Sequence, residues 1–275
     1  METVRINDQK ENLGKDMEPL SQPRQLENGL PYQGVFCFGS HKGYLHLPQA
    51  YDPAKKFPLI LFLAGRGGDA LIHNYNSLEF SAFRDLCSES GYVVAVPAYG
   101  SDCWLNREAE TIVLEMLTFL QSHLSLESDK ILMMGCSMGG GSALVFSGRH
   151  ADKVLGVCDV FGITDYLRFY RAGFFNVSIK AAFGGNPDER EEYYRERSAI
   201  TYLDQLARLP VLVLHGDQDK TVPIWNSEIL VKGLQKHGGK VTYHIVPGMV
   251  HSNAIIKGHE NTVLEFFQRV RQKAE

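Results

Sequence analysis

The sequence lacks any apolar run approaching the ~18 residues that a membrane-spanning helix needs, so no membrane span is expected. Cysteine is sparse: five residues (Cys37, Cys87, Cys103, Cys136 and Cys158), odd in number and scattered. No pair has CxxC spacing, which argues against a disulfide framework and favours reduced thiols in a cytoplasmic protein. There is no HExxH signature and no Cys/His group at metal-ligand spacing, so neither a metal nor another cofactor is expected. A dominant charge is also missing. The 28 Lys+Arg face 32 Asp+Glu, a formal net charge of −4 with no basic block, which argues against nucleic acid as a partner. The opening METVRINDQKENLGKDMEPL has no apolar core of the kind a secretory signal requires.

What remains is an ordinary globular composition, 44% hydrophobic and 22% charged over 275 residues. Residues 1–30 are polar and read as an extension; residues 31–275 read as one domain. Short apolar runs mark strands at Gln33–Phe38, Tyr44–Leu47, Pro58–Leu63, Tyr92–Pro97, Lys130–Gly135, Val154–Val160, Val211–His215 and Val241–Val246. The first two, split by Gly39-Ser40-His41-Lys42-Gly43, suit a hairpin; the later continuous runs suit strands buried on both faces. Helical spacing recurs at Leu78–Ser90, Glu108–His123, Met138–Arg149, Ile224–His237 and Glu260–Lys273. This alternation predicts an α/β fold with a doubly wound, mostly parallel sheet. The span 161–209 breaks the pattern. It is too long for a connecting loop, has no obvious strand and is crowded with aromatics, so it predicts a small helical insertion after the sixth strand, beside the strand ends.

Three segments carry candidate chemistry. Gly135-Cys136-Ser137-Met138-Gly139 is a GxSxG between a strand and a helix, the context in which a sharp turn thrusts a serine hydroxyl off the sheet. Gly135 and Gly139 allow backbone to approach where a Cβ would clash, and the helix start directs free N–H groups at the site. The second segment, His215-Gly216-Asp217-Gln218-Asp219, follows a buried strand and offers two carboxylates, Asp217 and Asp219, either of which could orient a histidine. The third, Gly248-Met249-Val250-His251, follows the last strand and places an imidazole within reach of the same edge. Ser, Asp and His follow one another in the order of the α/β-hydrolases.

On these residues the chain resembles the α/β-hydrolase superfamily, and more narrowly the catalytic domain of its prolyl oligopeptidase and esterase branch, here as a stand-alone unit. The resemblance rests on Tyr44–Gly65, GCSMGGGSA from Gly135, YYRERSAITYL from Tyr193, HGDQDKTVP from His215 and GMVH from Gly248. It implies Ser137 as nucleophile, Asp219 as the acid and His251 as the base. It further implies an oxyanion hole from the backbone N–H groups of Arg66 and Met138, although the family's usual His-Gly after the third strand is Ala64-Gly65 here. The stretch Asp102-Cys103-Trp104-Leu105-Asn106 is similar to one in acetyl and feruloyl esterases.

The function expected is hydrolysis of small-molecule carboxylic esters through an acyl-enzyme. No propeller-sized segment precedes the domain in this sequence, so peptidase or amidase activity is the second expectation, and a non-catalytic binding member of the fold is a third. Trp104, Phe161 and Tyr166 are candidate substrate walls, and Arg168 and Arg171 could read a substrate carboxylate. Asp165 is a rival acid because it follows the preceding strand. Gly65–Ala70 fits G-x-G-x-x-A, but the next strand lacks the acidic residue that a dinucleotide site needs.

Overall fold

The computed structural model describes residues 24–67 and 75–273. The predicted extension therefore lies mostly outside the described residues, as do Gly68, Asp69 and Ala70 of the G-x-G-x-x-A stretch. The end of the extension packs onto the fold: Gln25 bridges to Pro31, Leu30 is buried, and the Asn28 side chain donates to the His123 carbonyl at 2.8 Å.

Eight strands form one sheet: β1 (Gln33–Phe38), β2 (His41–His46), β3 (Leu59–Leu63), β4 (Val93–Pro97), β5 (Ile131–Cys136), β6 (Val154–Val160), β7 (Val211–Gly216) and β8 (Val241–Val246). Their order is β1-β2-β4-β3-β5-β6-β7-β8. The β1–β2 and β2–β4 pairs are antiparallel and all others parallel. β3, β4, β5 and β7 are buried along their whole length and β6 at every position but Leu155, which explains their apolar runs rich in Leu, Ile, Val and Met. β8 departs from the expectation of full burial. It is an edge strand, half-exposed, with Ile245 facing outward.

The hairpin is tighter than its sequence suggests. Phe38 pairs with His41, so the turn is Gly39-Ser40 alone. Gly39 has φ 56°, as the first central position of a type II′ turn requires. Gly43 read as loop but lies within β2, where a Cβ would come 2.6 Å from the Met116 methyl and 2.9 Å from the Phe36 ring.

Helices cover both faces. One side carries α2 (Arg107–His123), α3 (Met138–Arg149) and α8 (Trp225–Lys236); the other carries α1 (Ser81–Glu89) and α9 (Glu260–Gln272). A 3₁₀ turn at Leu78–Phe80 takes up the start of the first predicted helix. The insertion is helical as expected, with α4 (Tyr166–Arg171), α5 (Asn176–Phe183), α6 (Pro187–Glu196) and α7 (Leu203–Leu206). α6 starts with a capping box, Asn186 with Glu189, and has Pro187 in its first turn.

Charge ties this insertion to α2 and to the end of α3. Arg197 is fully buried and donates to Glu110 at 2.7 Å, to the Leu105 carbonyl at 2.9 Å and to Glu196 at 3.0 Å. Glu110 also accepts from Arg149 at 2.6 Å and pairs with His150 at 2.8 Å. Burial pushes the Glu110 carboxyl up, but its bonds with His150, Arg197 and Arg149 win and hold it down at about 2. All five cysteines are free, and only Cys37 is exposed.

Candidate active site

Each of the three candidate residues lies just beyond the C-terminal end of its own strand, where open α/β sheets bind their ligands. Ser137 sits between β5 and α3 with φ 57° and ψ −122°, a conformation that costs roughly 1–3 kcal/mol in a non-glycine residue. The surroundings hold it there. Its N–H donates to the Val160 carbonyl at 2.9 Å and its carbonyl accepts from Gly141 at 3.1 Å. The motif glycines are sterically compulsory: a Cβ on Gly135 would lie 2.1 Å from the Gly139 carbonyl oxygen, and one on Gly139 2.0 Å from that of Leu63. α3 therefore starts in direct backbone contact with the end of β3.

The loops after β7 and β8 are also joined backbone to backbone. The Gln218 N–H donates to the Met249 carbonyl at 3.0 Å, and a Cβ on Gly216 would lie 2.1 Å from the same oxygen. This contact brings His251 between the other two side chains. His251 Nδ1 lies 2.6 Å from Asp219 Oδ2, and its Nε2 lies 2.9 Å from Ser137 Oγ. An ionised carboxylate only accepts, so Nδ1 donates to Asp219 and Nε2 is left to accept from the serine hydroxyl.

The Asp219 side chain is buried, and Oδ1 accepts from the amides of Thr221 at 2.9 Å and Val222 at 2.8 Å. Burial alone would raise its pKa. Hydrogen bonds with His215 and His251 and the Val222 amide outweigh it and hold the carboxyl well below its usual range. Asp219 is thus ionised at neutral pH.

The competing carboxylates do other work. Asp217 accepts from the Gly248 amide at 2.7 Å and so braces the loop that carries His251. Asp165 caps α4 by accepting from the Arg168 amide at 3.0 Å. Arg168 lies over the Trp225 ring, its guanidinium carbon 4.1 Å from the centroid, and Arg171 faces Glu191 at 3.8 Å. The candidate wall residues are all buried: Trp104 is 1% exposed, Phe161 2% and Tyr166 0%. Phe161 is the one that touches the triad, with its ring centroid 4.6 Å from that of His251. Trp104 and Tyr166 stand edge to face, with centroids 5.9 Å apart, and the Trp104 amide meets Met138 Sδ at 3.4 Å.

Two buried residues escaped the sequence reading. His215 is wholly buried beside Asp219, with Nε2 2.8 Å from the Val222 carbonyl and 3.5 Å from Asp219 Oδ2, and Nδ1 2.6 Å from Ser227 Oγ. Its place in the HGDQD stretch was the only signal for it. Asp159 is the lone charge in the run VLGVCDV. It accepts from the Gly162 amide at 2.9 Å, while Oδ2 is buried with no hydrogen-bond partner among the described residues. Burial pushes its carboxyl up to about 7, against opposing effects of His215 and the Gly162 amide.

The strand order, the strained serine turn and the three joined loops define a serine hydrolase of the α/β-hydrolase fold. The prolyl oligopeptidase family profile matches residues 79–274, and the chain belongs to that family. Among curated relatives, human dipeptidyl peptidase 8 is 24% identical over 259 residues, covering 86% of this chain and 28% of its own length. The chain thus spans under a third of that relative. Among solved structures, an acylaminoacyl peptidase from Pyrococcus horikoshii superposes with a TM-score of 0.69 at 20% identity, covering 86% of this chain and 41% of its own. An S-formylglutathione hydrolase from Agrobacterium tumefaciens gives 0.69 at 16% identity, covering 85% of this chain and 93% of its own. Among the described residues, no helix is long and apolar enough to cross a membrane.

Proposed function

We propose that the protein hydrolyses small-molecule carboxylic esters through an acyl-enzyme on Ser137. The observation that carries this reading is the unbroken series Ser137–His251–Asp219, at 2.9 and 2.6 Å. His251 Nε2 takes the hydroxyl proton as Ser137 Oγ attacks the acyl carbon. Asp219 holds the tautomer and stabilises the imidazolium. The Met138 and Arg66 N–H groups receive the oxyanion, and His251 returns its proton to the departing alkoxide. Water, activated by the same imidazole, then releases the acid. Phe161 flanks the imidazole, while Trp104 and Tyr166 shape the wall from behind.

Ester cleavage is the activity that this machinery demands least to perform. An alkoxide departs from the tetrahedral intermediate more readily than an amine, so a triad able to cut an amide also cuts the matching ester. Peptide hydrolysis is the second reading, favoured by relatives named as peptidases. The test is fluorophosphonate labelling with mapping of the adduct, alongside turnover of p-nitrophenyl acetate. The adduct is expected on Ser137, and Ser137→Ala is expected to lose turnover by about 10⁴-fold or more. Labelling of no serine, or unchanged turnover in Ser137→Ala, would end the catalytic reading. Relative kcat/KM on an acyl ester and the matched anilide separates esterase from amidase.

A further inference from the structure

The loop after β3 lacks the histidine that the family resemblance implied, so something else must fix the Arg66 amide. Three anchors converge on this loop. Tyr99 Oη donates to the Ala64 carbonyl at 2.6 Å, deep in the core. The Gly67 amide donates to the Ser101 carbonyl at 3.0 Å. The partly exposed Arg66 side chain gives Nε to Asp102 Oδ1 at 2.5 Å.

The third anchor is itself held from the insertion. Ser178, on α5, donates to the same Asp102 oxygen at 2.6 Å, and Trp104 Nε1 donates to Ser178 Oγ at 2.6 Å. Phe175, the residue preceding α5, lies under the Arg66 guanidinium at 5.0 Å from the ring centroid and beside the Trp104 ring at 5.5 Å. A continuous path therefore runs from α5 through Ser178 and Asp102 to Arg66.

Backbone strain marks the same place. Among the described residues, the non-glycines with positive φ are Ser137, Phe161, Trp104, Leu105 and Phe175. Ser137 belongs to the triad and Phe161 packs against its imidazole. The other three hold the residues of this path, at 49°, 50° and 48°. Strained backbone persists only where surrounding contacts over-determine it. Trp104 also meets Met138, the other expected oxyanion donor, so the path touches both halves of the hole.

We propose that Asp102 and Ser178 are positioning residues. Together they hold the Arg66 side chain so that its backbone N–H keeps the geometry of the oxyanion hole, in place of the missing histidine. This rests on the serine-hydrolase reading above. It goes further in making the helical insertion part of the catalytic apparatus through α5. Backbone donors act only where the oxyanion forms, so loosening one lowers kcat and leaves ground-state binding alone.

The test uses the full chain, p-nitrophenyl acetate as substrate and an alkyl trifluoromethyl ketone as an inhibitor that forms a tetrahedral oxyanion on the serine. Asp102→Ala and Arg66→Met are each expected to lower kcat roughly 10- to 100-fold with KM within about twofold, because a displacement near 1 Å is costly in a preorganised site. Inhibitor affinity should fall by the same factor as kcat. Ser178→Ala should show a smaller loss of the same kind, and Arg66→Lys should restore part of the rate. The double variant Asp102→Ala/Arg66→Met should be no slower than the worse single variant, since both break one path. Additive losses, a change confined to KM, or undiminished inhibitor affinity would overturn the proposal. If Asp102→Ala does not fold, Ser178→Ala and Arg66→Met decide it by the same split between kcat and KM. Failure of the hydrolase reading shows itself separately, as wild-type turnover in Ser137→Ala.

Discussion

At the strand ends, Asp219 is held by two backbone amides and flanked by two imidazoles, one of them the expected catalytic base. On the insertion side, Arg197 is held by two carboxylates and a carbonyl, and its Nε finds no partner among the described residues. Both are buried charges, but they are built differently. The triad corner takes its shape from strand ends and glycine turns in direct backbone contact. The insertion has no sheet of its own. It packs aromatic edges such as Phe183 on Tyr166, Tyr193 and Tyr194, and closes over an ion network that must be complete to be stable. A loss at the first place should therefore appear in rate, and a loss at the second in stability.

The largest effect belongs to the triad. Asp219→Asn should lower kcat about 10⁴-fold, because the amide favours the wrong imidazole tautomer, with the melting temperature little changed. Asp165→Asn, which keeps the cap on α4, should leave kcat near wild type; steady-state kinetics on one ester reads both. Glu110→Ala should instead cost ~3–5 kcal/mol in urea unfolding, since it strands Arg197 in the core. The Glu110 carboxyl is depressed, so its contribution is present above its ordinary 4.5 and is lost as pH falls towards 2; acid unfolding followed by circular dichroism should show that window vanish in Glu110→Gln.

Asp159 tests whether the sheet side hides a weakness of the opposite sign. Its carboxyl is raised, so its contribution is full below the ordinary 3.8 and fades as pH climbs through about 7. Asp159→Asn keeps an acceptor for Gly162 and should be more stable than wild type at pH 8 by roughly 2–4 kcal/mol, with the gap closing towards pH 4. The smallest effect is at the start of α6, where Asn186→Ala should cost ~1 kcal/mol by removing the capping box. A larger cost would mean that this helix end also supports the ion network.

The same contrast explains what the sequence disclosed. Runs such as LILFL and VLVLHG state their burial residue by residue, and the Ser, Asp and His segments announce themselves through strand-end spacing. Gly43 misled because a glycine reads as a turn, when its real reason is the ring and methyl pressed against it. Arg197 and Glu110 gave no signal in the sequence, since a pair separated by 87 positions leaves no periodic trace. Only the family resemblance chose Asp219 over Asp217, and the structure supplies a physical reason: two residues of offset decide whether a carboxylate meets an imidazole or a loop amide.

The free thiols carry a practical consequence. Burial pushes Cys87, Cys103, Cys136 and Cys158 up, Cys103 to about 12, so none of them offers a thiolate at neutral pH, not even the one preceding Ser137. Cys37 alone faces solvent, on the outermost strand of the antiparallel end. Alkylating agents should attach once, there, and leave turnover intact, which gives the protein a ready anchor for a fluorophore or a solid support.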